Sequence, residues 1–162
     1  MSTSSDNILI RPAAPADIPA MLTLLEPYVQ QKTVLRRTPE DLLACLGNFL
    51  LAADRASGSL LALGALRPYG NGIFEVRSLA VECSLVQTGI GTRLVQALLE
   101  KGRRLEPPAK CIFALTKVPA FFEHLGFTHA AREKFPDKIW LDCRACPKRD
   151  SCDEVAVEYT LP

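Results

Sequence analysis

The most informative part of this sequence is Val81-Glu82-Cys83-Ser84-Leu85-Val86-Gln87-Thr88-Gly89-Ile90-Gly91-Thr92-Arg93-Leu94. It lies between a predicted strand over residues 73–82 and a predicted helix with a regular apolar side. The first N–H groups of a helix have no partner within the helix, and the helix dipole attracts anions to that end. Gly89 and Gly91 would let a phosphate approach this backbone closely. Because a glycine pair is more often only a tight turn, the stretch by itself leaves both interpretations open.

Length and composition narrow the class of protein. A chain of 162 residues is about one domain, and 48% apolar with 23% charged residues is typical of a globular fold. The net charge of +1 gives no basic surface of the kind that binds nucleic acid. No apolar run approaches the roughly 20 residues that span a membrane, and the polar segment Met1 to Asn7 does not resemble a signal peptide. We therefore expect a cytoplasmic protein that binds neither nucleic acid nor membrane.

The remaining sequence predicts an α/β or α+β domain with a mixed sheet, in the order β-α-α-β-β-β-α-β-α-β. Asp17 is expected to cap the first helix, and Pro27 to kink or end it. Thr38 is expected to cap the second helix, because Asp41 follows three residues later as in a capping box. The apolar stripe of that helix is predicted to run to Phe49. The predicted strands are residues 8–10, 50–54, 59–67, 73–82, 110–116 and 154–161.

Two motifs in this order resemble those of the GNAT superfamily of N-acetyltransferases. The stretch quoted above is similar to the family's Q/R-x-x-G-x-G/A loop, which binds the pyrophosphate of coenzyme A. The stretch Phe121-Phe122-Glu123-His124-Leu125-Gly126-Phe127 is similar to its later F-Y/F-x-x-x-G-F helix. The element order agrees too, so the resemblance covers residues 1–162 as a single domain. It implies the GNAT acyl-CoA N-acyltransferase fold, a twisted mixed β-sheet with helices on both faces.

The resemblance further implies an enzyme that transfers acetyl from acetyl-CoA to an amine and requires no metal. A backbone N–H near Leu79 would stabilise the oxyanion, and backbone groups of Leu79 and Val81 would pair with the pantetheine arm, as an added strand would. The residues expected to bind acetyl-CoA are Leu79, Ala80, Val81, Val86, Gln87, Thr88, Gly89, Ile90, Gly91, Thr92 and Phe122.

Two of these positions depart from the family pattern. Val86 stands where Gln or Arg is usual, which removes one side-chain donor to the phosphates. Phe122 stands where many members have the tyrosine that protonates the departing thiolate. The chain therefore lacks the usual general acid, and water or another group would have to replace it.

Within the superfamily, the chain most resembles the stand-alone form of the acetyltransferase domain of bacterial N-acetylglutamate synthases. The similar stretches include Leu35-Arg36-Arg37-Thr38 and Phe113-Ala114-Leu115-Thr116. This implies L-glutamate as the acceptor, as in the opening step of arginine biosynthesis. Arg36 and Arg37 would then bind its carboxylates, because a guanidinium suits bidentate recognition. The alternative is a pair of solvated surface arginines.

Glu75 and Arg77 lie two residues apart on a predicted strand, so their side chains are expected on one face with Leu79 and Val81. Glu75 falls where histone-type members have a catalytic glutamate, which implies that it accepts the proton of the substrate amine. Arg77 would bind a substrate carboxylate or keep Glu75 ionised. The alternative is an ion pair on the surface of the strand.

The cysteines and histidines are predicted to be structural. Cys143, Cys146 and Cys152 have a spacing compatible with zinc but no clear fourth ligand, so we expect no bound metal. His124 and His129 are expected to have no partner carboxylate and no catalytic role.

Two other functions remain open. One is acetylation of another amine, such as a polyamine, an antibiotic or a protein N-terminus. The other is a non-catalytic acyl-CoA-binding sensor, which Val86 and Phe122 would suit. A homodimer is likewise an open alternative to a single chain.

Overall fold

The computed structural model describes residues 5–137 and 153–162. The chain divides into two compact units. The first comprises Met1–Leu66 and Ser78–Glu100, and the second comprises Arg67–Arg77 and Lys101–Pro162. Strand β4, defined below, contributes residues to both units.

Seven strands form a mixed sheet in the order β1-β2-β3-β4-β5-β7-β6. The α-helices are α1 (Ile18–Gln30), α2 (Pro39–Ala44), α3 (Ile90–Arg103) and α4 (Pro119–Glu123). The strands are β1 (Ile8–Pro12), β2 (Phe49–Asp54), β3 (Leu60–Pro68), β4 (Ile73–Val81), β5 (Cys111–Thr116), β6 (Thr128–Ala130) and β7 (Val155–Thr160). Strands β4 and β5 are parallel, whereas β1 with β2, β2 with β3, β5 with β7 and β6 with β7 are antiparallel. The predicted mixed sheet is confirmed.

In the first unit, α1 buries Ile18, Met21 and Leu25 against apolar residues of β2 and β3. This is the predicted helical spacing. Pro27 was predicted to kink or end the helix. It does not end it, because α1 continues to Gln30. A proline removes a single N–H from the helix, and the Pro27 carbonyl still accepts from the N–H of Gln31 at 3.0 Å.

Asp17 does not cap α1 with its side chain as predicted. Its carboxylate accepts two hydrogen bonds from the Arg11 guanidinium, at 2.8 Å each, and one from the N–H of Ala14 at 2.7 Å. The hydrogen bonds from Arg11 hold the pKa of Asp17 below its usual value, although partial burial opposes them. The carboxylate therefore ties β1 to the beginning of α1.

The second helix begins as predicted. The Thr38 hydroxyl accepts from the N–H of Asp41, and the Asp41 carboxylate accepts from the N–H of Thr38, both at 3.1 Å. The predicted stripe to Phe49 is wrong, because α2 ends at Ala44. Phe49 instead begins β2, where it pairs with Ala65. Strand pairing across the sheet therefore outweighs the helical spacing of the apolar residues.

In the second unit, β5 pairs with β7 along its whole length. The ring of Phe113 on β5 stacks on Phe135, with 4.0 Å between ring centroids. Gly126 follows α4 with φ +94°, which agrees with its predicted role in ending that helix. The short strand β6 was not predicted, because three residues are too few to show an alternating pattern.

Strand β4 has two features that matter for the site. Its parallel pairing with β5 covers residues 73–75, and the strand continues to Val81. Ser78 lies in the middle of β4 with φ +55°, a left-handed conformation that is costly for a residue with a side chain.

Among the described residues, no helix has the length and apolar character required to cross a bilayer.

Candidate active site

The turn between β4 and α3 contains the glycine stretch. A 3-10 turn, Cys83–Leu85, follows β4, and both the N–H and the hydroxyl of Thr88 donate to the carbonyl of Leu85, at 3.2 and 2.5 Å. The carbonyl of Gly89 accepts from the N–H of Arg93 at 3.1 Å, which is the first hydrogen bond of α3. The turn is thus fixed by its own hydrogen bonds directly before the helix.

Gly89 has the conformation that the turn requires. Its φ is +92°, and that of Gln87 is +68°, so the backbone is left-handed at both residues. A Cβ placed on Gly89 would meet no other atom within 4 Å, so the space beside this backbone is open. Val86 is exposed as well. The first turn of α3 therefore presents its N–H groups beside an open, glycine-containing loop, which is the geometry of an anion site.

The end of β4 is bound by a residue of α1. The Tyr28 hydroxyl donates to the carbonyl of Val81 at 2.6 Å and accepts from the N–H of Val81 at 3.1 Å. The backbone N–H of the next residue, Glu82, points to β3 instead, where it donates to the carbonyl of Leu61 at 2.8 Å.

The predicted common face of Glu75, Arg77, Leu79 and Val81 requires regular alternation along β4. The left-handed conformation of Ser78 interrupts that alternation. The predicted common face therefore does not extend across Ser78.

Glu75 is a buried carboxylate, 4% exposed. The Tyr69 hydroxyl donates to its Oε2 at 2.8 Å. The ring of Tyr69 packs against Phe113, and the Arg67 guanidinium lies over that ring at 4.8 Å. The alternative of a surface ion pair is thus wrong for Glu75, because a surface residue would be solvated.

The two arginines of the segment between α1 and α2 have different partners. The Arg36 guanidinium donates through two nitrogens to the two oxygens of Glu26, at 3.0 Å each. These hydrogen bonds lower the pKa of the exposed Glu26 carboxyl. Arg37 lies 3.2 Å from the sulfur of Cys45. Arg36 therefore already forms the bidentate contact that a substrate carboxylate would make.

Phe122 is buried in an aromatic cluster. Its ring meets those of Phe121 and Phe127 edge to face, with 5.1 Å between centroids in both pairs. It therefore supports the packing of α4.

The expectation that His129 has no carboxylate partner is wrong, since its Nε2 contacts Glu123.

The predicted residues are distributed over both units. Arg36, Arg37 and residues 79–92 belong to the first unit, and Glu75, Arg77 and Phe122 belong to the second. Cys143, Cys146 and Cys152 lie outside the described residues. Within residues 5–137 and 153–162, no group of three or more His, Cys, Asp or Glu side chains is arranged to hold a metal ion.

This fold, with a glycine-containing turn between a strand and a helix, defines a class of protein. A model of the acetyltransferase (GNAT) family matches residues 18–127, about two thirds of the chain. The chain therefore belongs to the GNAT family and is an N-acetyltransferase.

Three of the known proteins that are similar to it are the following. An uncharacterized N-acetyltransferase of Chlorobaculum tepidum is 34% identical over 94% of this chain and 96% of its own length. An amino-acid acetyltransferase of Mycobacterium tuberculosis is 30% identical over 74% of this chain and 68% of its own. The structure of N-acetylglutamate synthase from Neisseria gonorrhoeae, complexed with coenzyme A and N-acetyl-glutamate, superposes with a TM-score of 0.83 at 25% identity. That match covers 96% of this chain but 35% of the synthase.

Three residues that contact or interrupt β4, namely Tyr28, Tyr69 and Ser78, were not indicated by the sequence analysis. Tyr28 contacts Val81 although 53 positions separate them, and Tyr69 reaches Glu75 across a turn. The helical spacing from Met21 and Leu25 does place residue 28 on the buried side of α1, so its position was accessible to sequence reasoning. The conformation of Ser78 has no signature in the sequence.

Proposed function

We propose that this N-acetyltransferase transfers acetyl from acetyl-CoA to the α-amine of an amino acid, and that L-glutamate is its preferred acceptor. The observation that carries the proposal is the open turn at Gly89 before α3, which suits the pyrophosphate of coenzyme A. Support for the acceptor comes from relatives: one is named an amino-acid acetyltransferase, and the similar synthase structure holds N-acetyl-glutamate.

In this proposal acetyl-CoA, the acetyl donor, is bound mainly by backbone groups. The N–H groups at the start of α3, residues 90–92, would bind the pyrophosphate, and the turn of residues 86–89 would surround it. An exposed Val86 in place of a polar side chain is compatible with this, since backbone N–H groups and the helix dipole attract the anion without it. The pantetheine arm would follow β4 along residues 79–81.

The chemistry needs one base and one oxyanion donor. The amine nitrogen attacks the thioester carbonyl, a C–N bond forms, the C–S bond breaks, and the thiolate departs. Glu75 would accept the proton of the substrate ammonium, directly or through a water molecule. A backbone N–H near Leu79 would stabilise the developing oxyanion. The nitrogen loses a second proton as the C–S bond breaks. Because the buried Phe122 cannot transfer a proton, water would carry this second proton to the thiolate.

Carboxylate binding would fall to Arg36, Arg37 and Arg77. Because Glu26 already occupies the guanidinium of Arg36, a substrate carboxylate would have to replace that of Glu26. Two charge-assisted hydrogen bonds to Glu26 would then be replaced by two to the substrate. The free-energy cost of this exchange is small if both carboxylates are solvated.

The variant Gly89→Asp tests the proposed acetyl-CoA site. A carboxylate beside the first turn of α3 would repel the pyrophosphate, so the dissociation constant of acetyl-CoA should rise about tenfold or more. The matched control is Gly58→Asp, because Gly58 also has a positive φ, +76°, and open space around it. Calorimetric titration of both variants measures the effect. Equal affinity in the two variants would contradict the proposed donor site.

The acceptor site is tested by Arg36→Ala and Arg37→Ala. Losing a charge-assisted hydrogen bond should raise the KM for glutamate roughly 10- to 100-fold in at least one variant. Glu26→Gln should lower this KM if Arg36 binds the substrate, because the internal competitor loses its charge. The exposed Arg55 provides the control Arg55→Ala. An unchanged KM in both arginine variants would remove the physical support for glutamate.

The base is tested by Glu75→Gln. This variant keeps the shape of the side chain but cannot accept a proton, so kcat at neutral pH should fall about 10²- to 10⁴-fold. Much of the loss should be recovered at high pH, where the amine is already neutral. Steady-state rates measured from pH 6 to 10 provide the test, and a wild-type rate at pH 7 would show that Glu75 is not the base.

A further inference from the structure

The contact between Tyr28 and Val81 involves both backbone groups of one strand residue. One hydroxyl oxygen accepts from the N–H of Val81 at 3.1 Å and donates to its carbonyl at 2.6 Å. A neighbouring strand would form this same pair of hydrogen bonds with an amide N–H and a carbonyl. A hydroxyl can replace both because it is donor and acceptor at once.

The direction of these groups follows from Glu82, the residue directly after β4. The N–H of Glu82 points to β3, where it meets the carbonyl of Leu61 at 2.8 Å. Backbone groups of successive strand residues point to opposite edges, so those of Val81 face away from β3. The Tyr28 hydroxyl therefore lies at the edge of β4 that an extended ligand would use.

We propose that the Tyr28 hydroxyl occupies the position of an amide of the pantetheine arm and is exchanged for that amide when coenzyme A binds. The proposal rests on the proposed function, because it requires the arm to follow β4. The N–H of Val81 is a single donor, so the hydroxyl and a ligand carbonyl compete for it. Tyr28 thereby lowers the affinity for coenzyme A, because the hydrogen bonds between its hydroxyl and Val81 must be broken before the arm can bind.

The main chain around Tyr28 would allow such an exchange without disturbing α1. The Tyr28 carbonyl accepts from the N–H and the hydroxyl of Thr33, at 3.0 Å each, and from the N–H of Val34 at 3.3 Å. These bonds fix the end of α1 independently of the side-chain hydroxyl. The ring itself packs against the core that contains Met21 and Leu25. In the proposed exchange, the side chain would leave Val81 while these main-chain hydrogen bonds stay in place.

The test is Tyr28→Phe, with binding of coenzyme A measured by calorimetry. The variant cannot form the competing contact, so coenzyme A should bind about two- to tenfold more tightly, the equivalent of one net hydrogen bond. Adenosine 3′,5′-bisphosphate has no pantetheine arm, and its affinity should be the same in variant and wild type. Tyr159→Phe is the matched control, because the Tyr159 hydroxyl contacts Arg103 within the second unit.

Hydrogen exchange at the amide of Val81 provides a second measurement. Without ligand, this amide should exchange faster in Tyr28→Phe than in wild type, and saturating coenzyme A should protect it equally in both. Unchanged or weaker binding of coenzyme A by a folded Tyr28→Phe variant would overturn the proposal for Tyr28 alone. An equal gain for the bisphosphate would overturn it as well. If folded wild-type protein bound no coenzyme A, the proposed function and this inference would both fail.

Discussion

The backbone hydrogen bonds of β4 are the constraint on which the rest of this structure depends. Each N–H and carbonyl of a buried strand requires a partner, yet the parallel pairing with β5 covers residues 73–75 while β4 continues to Val81. At Val81 the partner is a side-chain hydroxyl from α1. In the function proposed here, a ligand would form these hydrogen bonds after displacing one tyrosine.

The same strand contains several of the residues predicted to act in the site. Its first part carries Glu75, which is buried and held by Tyr69, and its last part leads into the turn at Gly89. Ser78 stands between the two parts with a left-handed backbone. Such conformations persist where the surrounding structure enforces them, and they are common at functional sites. Ser78 therefore separates the part of β4 that carries Glu75 from the part that leads into the glycine turn.

Local patterns in the sequence were sufficient for much of the fold. The capping box of Thr38 and Asp41 and the helix after Gly89 follow from neighbouring residues, and the structure confirms both. Phe49 shows why other predictions were wrong: its spacing suited a helix, but pairing with Ala65 depends on residues far along the chain. Tyr28 is a similar case, since nothing near it in the sequence indicates that its hydroxyl binds the backbone of a distant strand.

The proposed acceptor of the acetyl group is an amino acid, above all L-glutamate. The most direct measurement incubates the protein with acetyl-CoA and an equimolar mixture of the twenty amino acids and common polyamines. Free thiol and the acetylated products are then quantified, the latter by mass spectrometry. We expect N-acetylglutamate as the dominant product, formed in equal amount to the coenzyme A released. A dominant acetylated polyamine, or no thiol release above the rate of hydrolysis, would contradict it.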